Sequence, residues 1–203
     1  MRTRRVIVAT GARLRTLGLP QEEALRGRGV SQCAHCDGAF FRGQDVVVVG
    51  GGDAALQEAL VLAAACRTVT IIARSRLRAK QGYVERAGGT TNVRFVWDSV
   101  VDAVLGDGTV SGVRLRNVKS GALSELACTG VFPFIGVEPN SEFLPVSVRR
   151  DASGRVLTDA DLRASEPAVF AIGAVRAGYI GELVNAAGEA AAAVATIAGE
   201  LAG

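Results

Sequence analysis

The chain has 203 residues, 49% of them hydrophobic, and 23 lysines and arginines against 20 aspartates and glutamates give it a formal charge of +3. That length supports one large domain or two small ones with real cores, and so slight and evenly spread a charge argues against a nucleic-acid partner. The longest apolar runs, Val46 to Val49 and Ala59 to Cys66, fall well short of the roughly 20 residues that cross a bilayer, so no membrane span is expected.

The basic start Met1-Arg2-Thr3-Arg4-Arg5 is followed by an apolar run that ends at Gly11, too soon for a secretory signal, and the expected setting is the cytoplasm. Arg5 to Ala9 reads as a strand of the buried type, which must find partners later in the chain or in another polypeptide. A Gly- and Pro-punctuated connection runs from there to about Gly29. The continuous β-branched run Asp45 to Val49, bounded by Gly43 and by Gly50-Gly51-Gly52, reads as a buried parallel strand. Asp53 to Ala65 has no Gly or Pro, and Leu56, Ala59, Leu60 and Ala63 recur at helical spacing. Val69 to Ile72 is the next strand and completes a βαβ unit.

Beyond it, Val93 to Val96 reads as a short strand. Val100 to Leu105 and Val110 to Arg116 form a hairpin through Gly106-Asp107-Gly108-Thr109. Leu123 to Cys128 adds one more strand, and this layer is expected to cover one face of the parallel sheet. Val131 to Gly136 and Val169 to Ala174 share the texture of the start, apolar strands ending at glycine. They place residues 1–24 and 129–203 in one discontinuous domain interrupted by a second over 25–128. Gly188 to Leu201 closes the chain as an Ala-rich helix.

Two motifs carry chemistry. Gly50-Gly51-Gly52-Asp53-Ala54-Ala55 fits the dinucleotide fingerprint, with Gly50 for the tight turn, Gly52 for backbone approach to a pyrophosphate and Ala55 for close helix packing. It follows an expected strand and opens an expected helix, whose N-terminal N–H groups would face the phosphates. The plainer alternative is a structural glycine turn. At the end of the second strand, where an NAD enzyme presents an acid to the ribose, stands the basic cluster Arg74-Ser75-Arg76-Leu77-Arg78. Guanidinium forks suit a 2′-phosphate, so NADPH is favoured over NADH; the alternative is a solvated Arg-rich loop.

The second motif is Cys33-Ala34-His35-Cys36, two of only four cysteines. Such sparse cysteines fit a reducing cytosol better than a disulfide-stapled secreted fold. A two-residue spacer lets the sulfurs close a small ring, and nearby charge can make one thiol the attacking thiolate. Asp37 is a carboxyl positioned to move a proton to or from a thiolate. A metal site would need two further ligands, and His35 is the one histidine of the chain, so a redox pair is favoured over a metal site or inert core cysteines. Cys66 and Cys128 read as core residues.

The order Ala9-Thr10-Gly11-Ala12, Cys33-Ala34-His35-Cys36-Asp37-Gly38, Gly50 to Ala55, Arg74 to Arg78 and Gly136-Val137-Glu138-Pro139-Asn140 resembles the low-molecular-weight thioredoxin reductases and their relatives, class II pyridine nucleotide-disulfide oxidoreductases. The resemblance implies an α/β fold in which a three-layer Rossmann-type NADP-binding domain is inserted in the C-terminal half of an FAD-binding domain. It implies an enzyme that passes electrons from NADPH through FAD to a Cys33/Cys36 dithiol and on to a disulfide such as that of a thioredoxin-like protein, working as a homodimer. By the same resemblance Cys36 faces the flavin, Cys33 attacks the substrate disulfide and Asp37 is the general acid. Gly50, Gly52, Asp53, Ala54 and Ala55 line the pyrophosphate, and Arg74 and Arg78 hold the 2′-phosphate.

The chain also departs from that pattern. Ala73-Arg74-Ser75 stands where the family has His-Arg-Arg, and no FAD fingerprint precedes Val6. Gly173-Ala174 and Gly181-Glu182 stand where the family has a Gly-Asp pair on the flavin ribityl chain and an Arg-Gln pair. The chain therefore reads as a shortened form of such an enzyme, which alone is not expected to hold FAD tightly; a stand-alone NADP-binding redox module and an inactive remnant are the alternatives.

Overall fold

The computed structural model describes residues 3–202, so Met1 and Arg2 of the basic start lie outside the described residues. In chain order the elements are β1 (Val6–Val8), β2 (Ala12–Leu14), α1 (Pro20–Ala24), α2 (Ala34–Asp37), a 3-10 turn (Gly38–Phe41), β3 (Asp45–Val49) and α3 (Asp53–Ala63). Then follow β4 (Thr68–Ala73), α4 (Gln81–Gly89), β5 (Val93–Trp97), β6 (Ser99–Leu105), β7 (Gly112–Asn117), β8 (Leu123–Ala127) and β9 (Gly130–Pro133). The chain closes with β10 (Val137–Pro139), β11 (Val169–Ala171), a second 3-10 turn (Gly173–Val175) and α5 (Leu183–Ala202). They divide into two compact units, Leu14–Gly136 and the pair of segments Met1–Arg13 and Val137–Gly203.

The larger unit is built on a parallel sheet in the order β5-β4-β3-β9. Its central strand β3 shows why an unbroken valine run was needed. Val46 and Val48 pack with Leu56, Ala59 and Leu62 of α3, whereas Val47 and Val49 point the other way, into a core shared with Val101, Val104, Val113 and Leu115. Successive side chains of a strand alternate between faces, so a strand covered on both sides must be apolar at every position. The covering layers are α3 and α4 on one face and the antiparallel sheet β6-β7-β8 on the other. That places the expected hairpin layer where the sequence put it.

Val131 to Gly136 is the departure. Its strand β9 pairs in parallel with β3, Val47 opposite Val131 and Val48 opposite Phe132, instead of joining the sheet of the first strand. The unit boundaries accordingly fall at 13/14 and 136/137, where 24/25 and 128/129 were expected. Val131 and Phe132 are apolar on both faces and would suit either sheet; register with β3 decides it.

In the smaller unit β1 finds its partner late in the chain, running parallel to β11 with Val6 opposite Val169 and Val8 opposite Ala171. Val8, Val148, Val156, Ala171 and Val175 form one cluster, and Phe170, Leu162 and Ile172 pack against Ala193 of α5 in another. Glu200 near the end of α5 accepts hydrogen bonds from Arg5 at 2.7 Å and Arg163 at 2.8 Å, and the two guanidiniums hold its carboxyl below the usual range. The Ala9-Thr10-Gly11-Ala12 and Val137-Glu138-Pro139-Asn140 segments also meet here, the Asn140 Nδ2 donating to the Thr10 carbonyl at 2.9 Å and the Thr10 hydroxyl to the Asn140 carbonyl at 2.6 Å. No helix among the described residues is long and apolar enough to cross a membrane.

Candidate functional site

Both chemical motifs lie in the larger unit. The Cys-x-x-Cys segment forms the one-turn helix α2, and Cys33 and Cys36 are joined in a disulfide with their Cα atoms 5.3 Å apart. Cys33 caps the turn, its Sγ accepting the Cys36 N–H at 3.1 Å. Cys36 is exposed and Cys33 half-buried. The Asp37 carboxylate is held by the Ser31 hydroxyl, which donates to its Oδ2 at 2.6 Å and accepts the Cys33 N–H at 3.1 Å. One side chain thus links the candidate acid to the capping cysteine. The arrangement can exchange a disulfide and move a proton beside it.

Three residues of this site escaped the sequence reading. Ser31 stands two positions before Cys33, a spacing at which a hydroxyl commonly bonds nearby backbone, and that was the one available signal. Glu58 of α3 accepts the Ala34 N–H on its Oε2 at 3.0 Å and stands 3.5 Å from the His35 Nδ1; being 24 residues away, it gave no signal. Phe40, in the 3-10 turn directly after α2, is 76% exposed. The other cysteines, Cys66 and Cys128, are buried; burial, with the Asp45 carboxylate adding to it, pushes the Cys128 thiol up to about 12 and raises that of Cys66. So high a thiol is no nucleophile at neutral pH.

The glycine turn leaves β3 and opens α3. Gly50 has φ +146°, and a Cβ there would lie 2.3 Å from the Phe134 carbonyl oxygen and 3.0 Å from the Ala55 Cβ. Glycine is therefore required, and Ala55, fully buried, is the small residue that lets the helix approach. At Gly52 a Cβ would meet nothing within 4 Å, and this residue caps α3 without any side-chain acceptor. The first turn of α3 thus has no side-chain cap on its N–H groups, an arrangement a pyrophosphate fits. Asp53 does not cap its helix; its Oδ1 accepts the Lys80 N–H at 2.7 Å. Ala54 is exposed.

The basic cluster is tied to this turn, since the Arg78 N–H donates to the Gly51 carbonyl at 2.7 Å. Arg74, Arg76 and Arg78 are exposed, and among the described residues none of them forms an ion pair. Free guanidiniums beside a dinucleotide cradle fit a phosphate on the ribose. Arg74→Ala is expected to weaken NADPH by about tenfold or more, the worth of one charged hydrogen bond, while leaving NADH unchanged in a calorimetric titration.

The residues matched to the flavin's polyol site give a different result. Ala174 in the second 3-10 turn offers only a methyl group, and the Gly173 N–H is already bound to the Glu189 Oε2 at 2.7 Å. The other oxygen of Glu189 takes Arg176 at 2.7 Å in a pair that is mostly buried. These side chains do not fit a flavin that needs a carboxylate there.

Among families, the pattern described as pyridine nucleotide-disulphide oxidoreductase matches residues 1–190. The chain belongs to that family. Within it, the chain is 45% identical over 189 residues to a thioredoxin reductase of Streptomyces coelicolor, covering 92% of this chain and 59% of that protein. It is 43% identical over 192 residues to the bifunctional thioredoxin reductase/thioredoxin of Mycobacterium leprae, covering 94% of this chain and 42% of the relative. The crystal structure of Lactococcus lactis thioredoxin reductase superimposes with a TM-score of 0.87 at 40% identity, over 96% of this chain and 65% of that one. The chain thus has the α/β, Rossmann-like fold of this oxidoreductase family and spans about three-fifths of the length of the thioredoxin reductase of Streptomyces coelicolor.

Proposed function

We propose that this chain carries the NADPH-binding and dithiol-bearing part of a disulfide reductase of thioredoxin-reductase type. The observation that supports the reading is one compact unit holding both a Cys33–Cys36 disulfide and, on the helix packed against it, a glycine turn without a side-chain cap, beside arginines that form no ion pair among the described residues. Gly50, Gly52, Asp53, Ala54 and Ala55 form the pyrophosphate turn, the last three as the first residues of α3. Arg74 and Arg78 hold the 2′-phosphate. In such an enzyme FAD would supply the electron relay between NADPH and the disulfide, and the residues around Ala174 do not fit it.

The chain's own residues perform the second half of the reaction. The reduced pair meets an acceptor disulfide, and the Cys33 thiolate attacks one acceptor sulfur while the other leaves as a thiolate. Cys36 then attacks Cys33, the internal disulfide re-forms, and the acceptor is released carrying two electrons and two protons. Asp37, fixed by Ser31, delivers or collects a proton. Exposed Phe40 beside the pair suits an acceptor of protein size, and the fused thioredoxin of the Mycobacterium leprae relative supports a thioredoxin-like partner. The family resemblance extends this to a cytoplasmic homodimer.

Ala174 favours a second reading, an NADP-binding redox module that retains no flavin. NADPH consumption in the presence of added FAD and a disulfide dye separates the two. Chain-dependent consumption supports the reductase, whereas saturable NADPH binding with no consumption and no retained flavin absorbance supports the module.

A further inference from the structure

The single histidine of the chain sits between the two cysteines, and a carboxylate from a different element stands beside it. Glu58 reaches from α3 with one oxygen on the Ala34 N–H, at 3.0 Å, and the other 3.5 Å from the His35 Nδ1. Ala34 follows Cys33 directly, so its Cα lies about 3.8 Å from that of the capping cysteine. The carboxylate is mostly buried, with its side chain 19% exposed, and the imidazole is 63% exposed. His35 also borders a groove of about 280 Å³ shared with Gln57, Leu60, Val61, Tyr83 and Arg86. The titratable and charged groups around it are thus Glu58 from α3, Tyr83 and Arg86 from α4, and Asp37 and the cysteines on α2 itself. Nothing in the disulfide exchange described above uses His35 or Glu58.

We infer that His35 and Glu58 are a counter-charged pair of positioning residues that sets how readily the reduced dithiol ionises, His35 favouring the thiolate and Glu58 opposing it. The inference rests on the dithiol reading of Cys33 and Cys36. A positive charge near a thiol favours its thiolate and a negative charge disfavours it. With the imidazole protonated the pair is neutral, and with it deprotonated the pair carries one negative charge. Thiol ionisation can hand its proton to the imidazole, Cys–SH and neutral His giving Cys–S⁻ and His⁺ with no net change in protons.

The test begins with the full chain reduced by dithiothreitol, which gives two electrons and two protons to the disulfide and becomes its own cyclic disulfide. After reagent removal, iodoacetamide alkylation is followed across pH for the unaltered chain, H35N and E58Q. The expected result is opposite displacement, with alkylation below neutral pH about threefold or more slower in H35N and faster in E58Q. Glu58→Gln keeps an oxygen for the Ala34 N–H, so a purely structural role would leave its profile in place or slow both variants together. Coincident alkylation profiles, or displacement of both variants in the same direction, would overturn the inference. Failure of the dithiol reading looks different: the unaltered chain would show no thiol pair that re-forms its disulfide with an added acceptor.

Discussion

A Cys36→Ser chain, reduced and mixed with oxidised glutathione, is expected to stop as a mixed disulfide on Cys33, whereas the unaltered chain returns to its internal disulfide and frees both acceptor halves. Exchange is a two-step relay, and without the second sulfur nothing expels the acceptor from the first. The family resemblance makes Cys33 the attacking thiol, and its Sγ, which accepts the Cys36 N–H in the disulfide, would keep a donor that stabilises a thiolate after reduction. The Cys33→Ser chain should therefore capture acceptor about tenfold more slowly than Cys36→Ser, even though Cys36 is the more exposed of the two. Intact-mass analysis reads the adduct directly. Cys66 and Cys128 do not interfere, being buried with raised thiols. Faster capture by Cys33→Ser would reverse the assignment.

The second large effect is at the glycine turn, where two neighbouring substitutions should fail for different reasons. Gly50→Ala forces a Cβ to within 2.3 Å of the Phe134 carbonyl oxygen at a φ of +146°. The obstacle is backbone of the adjoining β9 connection, which cannot rotate away. A cost of about 2–4 kcal/mol follows, lowering the thermal midpoint by roughly 5–15 °C. Gly52→Ala meets nothing within 4 Å and has φ −98°, so the fold should barely notice. Its methyl instead enters the space before the open N–H groups of α3, where the pyrophosphate is placed, and NADPH affinity should fall about tenfold or more. Thermal melts and calorimetric titrations of the two variants separate fold from site. Unimpaired NADPH binding by a well-folded Gly52→Ala chain would contradict the cradle.

The central βαβ unit was legible because its signals are local. The strand read as Asp45 to Val49 is β3 with those ends, and the helix read from Asp53 is α3, ending at Ala63 two residues early. The four-residue turn α2 and the helix α4 went unread. In α4, Gln81-Gly82-Tyr83-Val84-Glu85-Arg86-Ala87-Gly88-Gly89 carries three glycines and buries only Ala87 fully, so neither propensity nor an apolar stripe announces it. The placement of β9 was not legible because Val131 and Phe132 are apolar toward both faces, and strand partners in a parallel sheet are set by contacts far apart in sequence.

The site divides in the same way. Cysteines, glycines and arginines stand in motifs whose spacing is itself the signal. Glu58 reaches Ala34 from 24 residues away, and only the packing of α3 on α2 brings it there. The Ala174 departure was visible in the sequence. What it lacked was Glu189, whose carboxylate occupies the Gly173 N–H and the Arg176 guanidinium.

The account stands most directly on a calorimetric titration of the purified chain with NADPH and, separately, NADH. It predicts saturable binding at one site per chain, with NADPH tighter by about tenfold or more through the free arginines. Equal affinity for the two nucleotides would remove the 2′-phosphate site, and no saturable binding of either would contradict the dinucleotide cradle on which the proposed function rests.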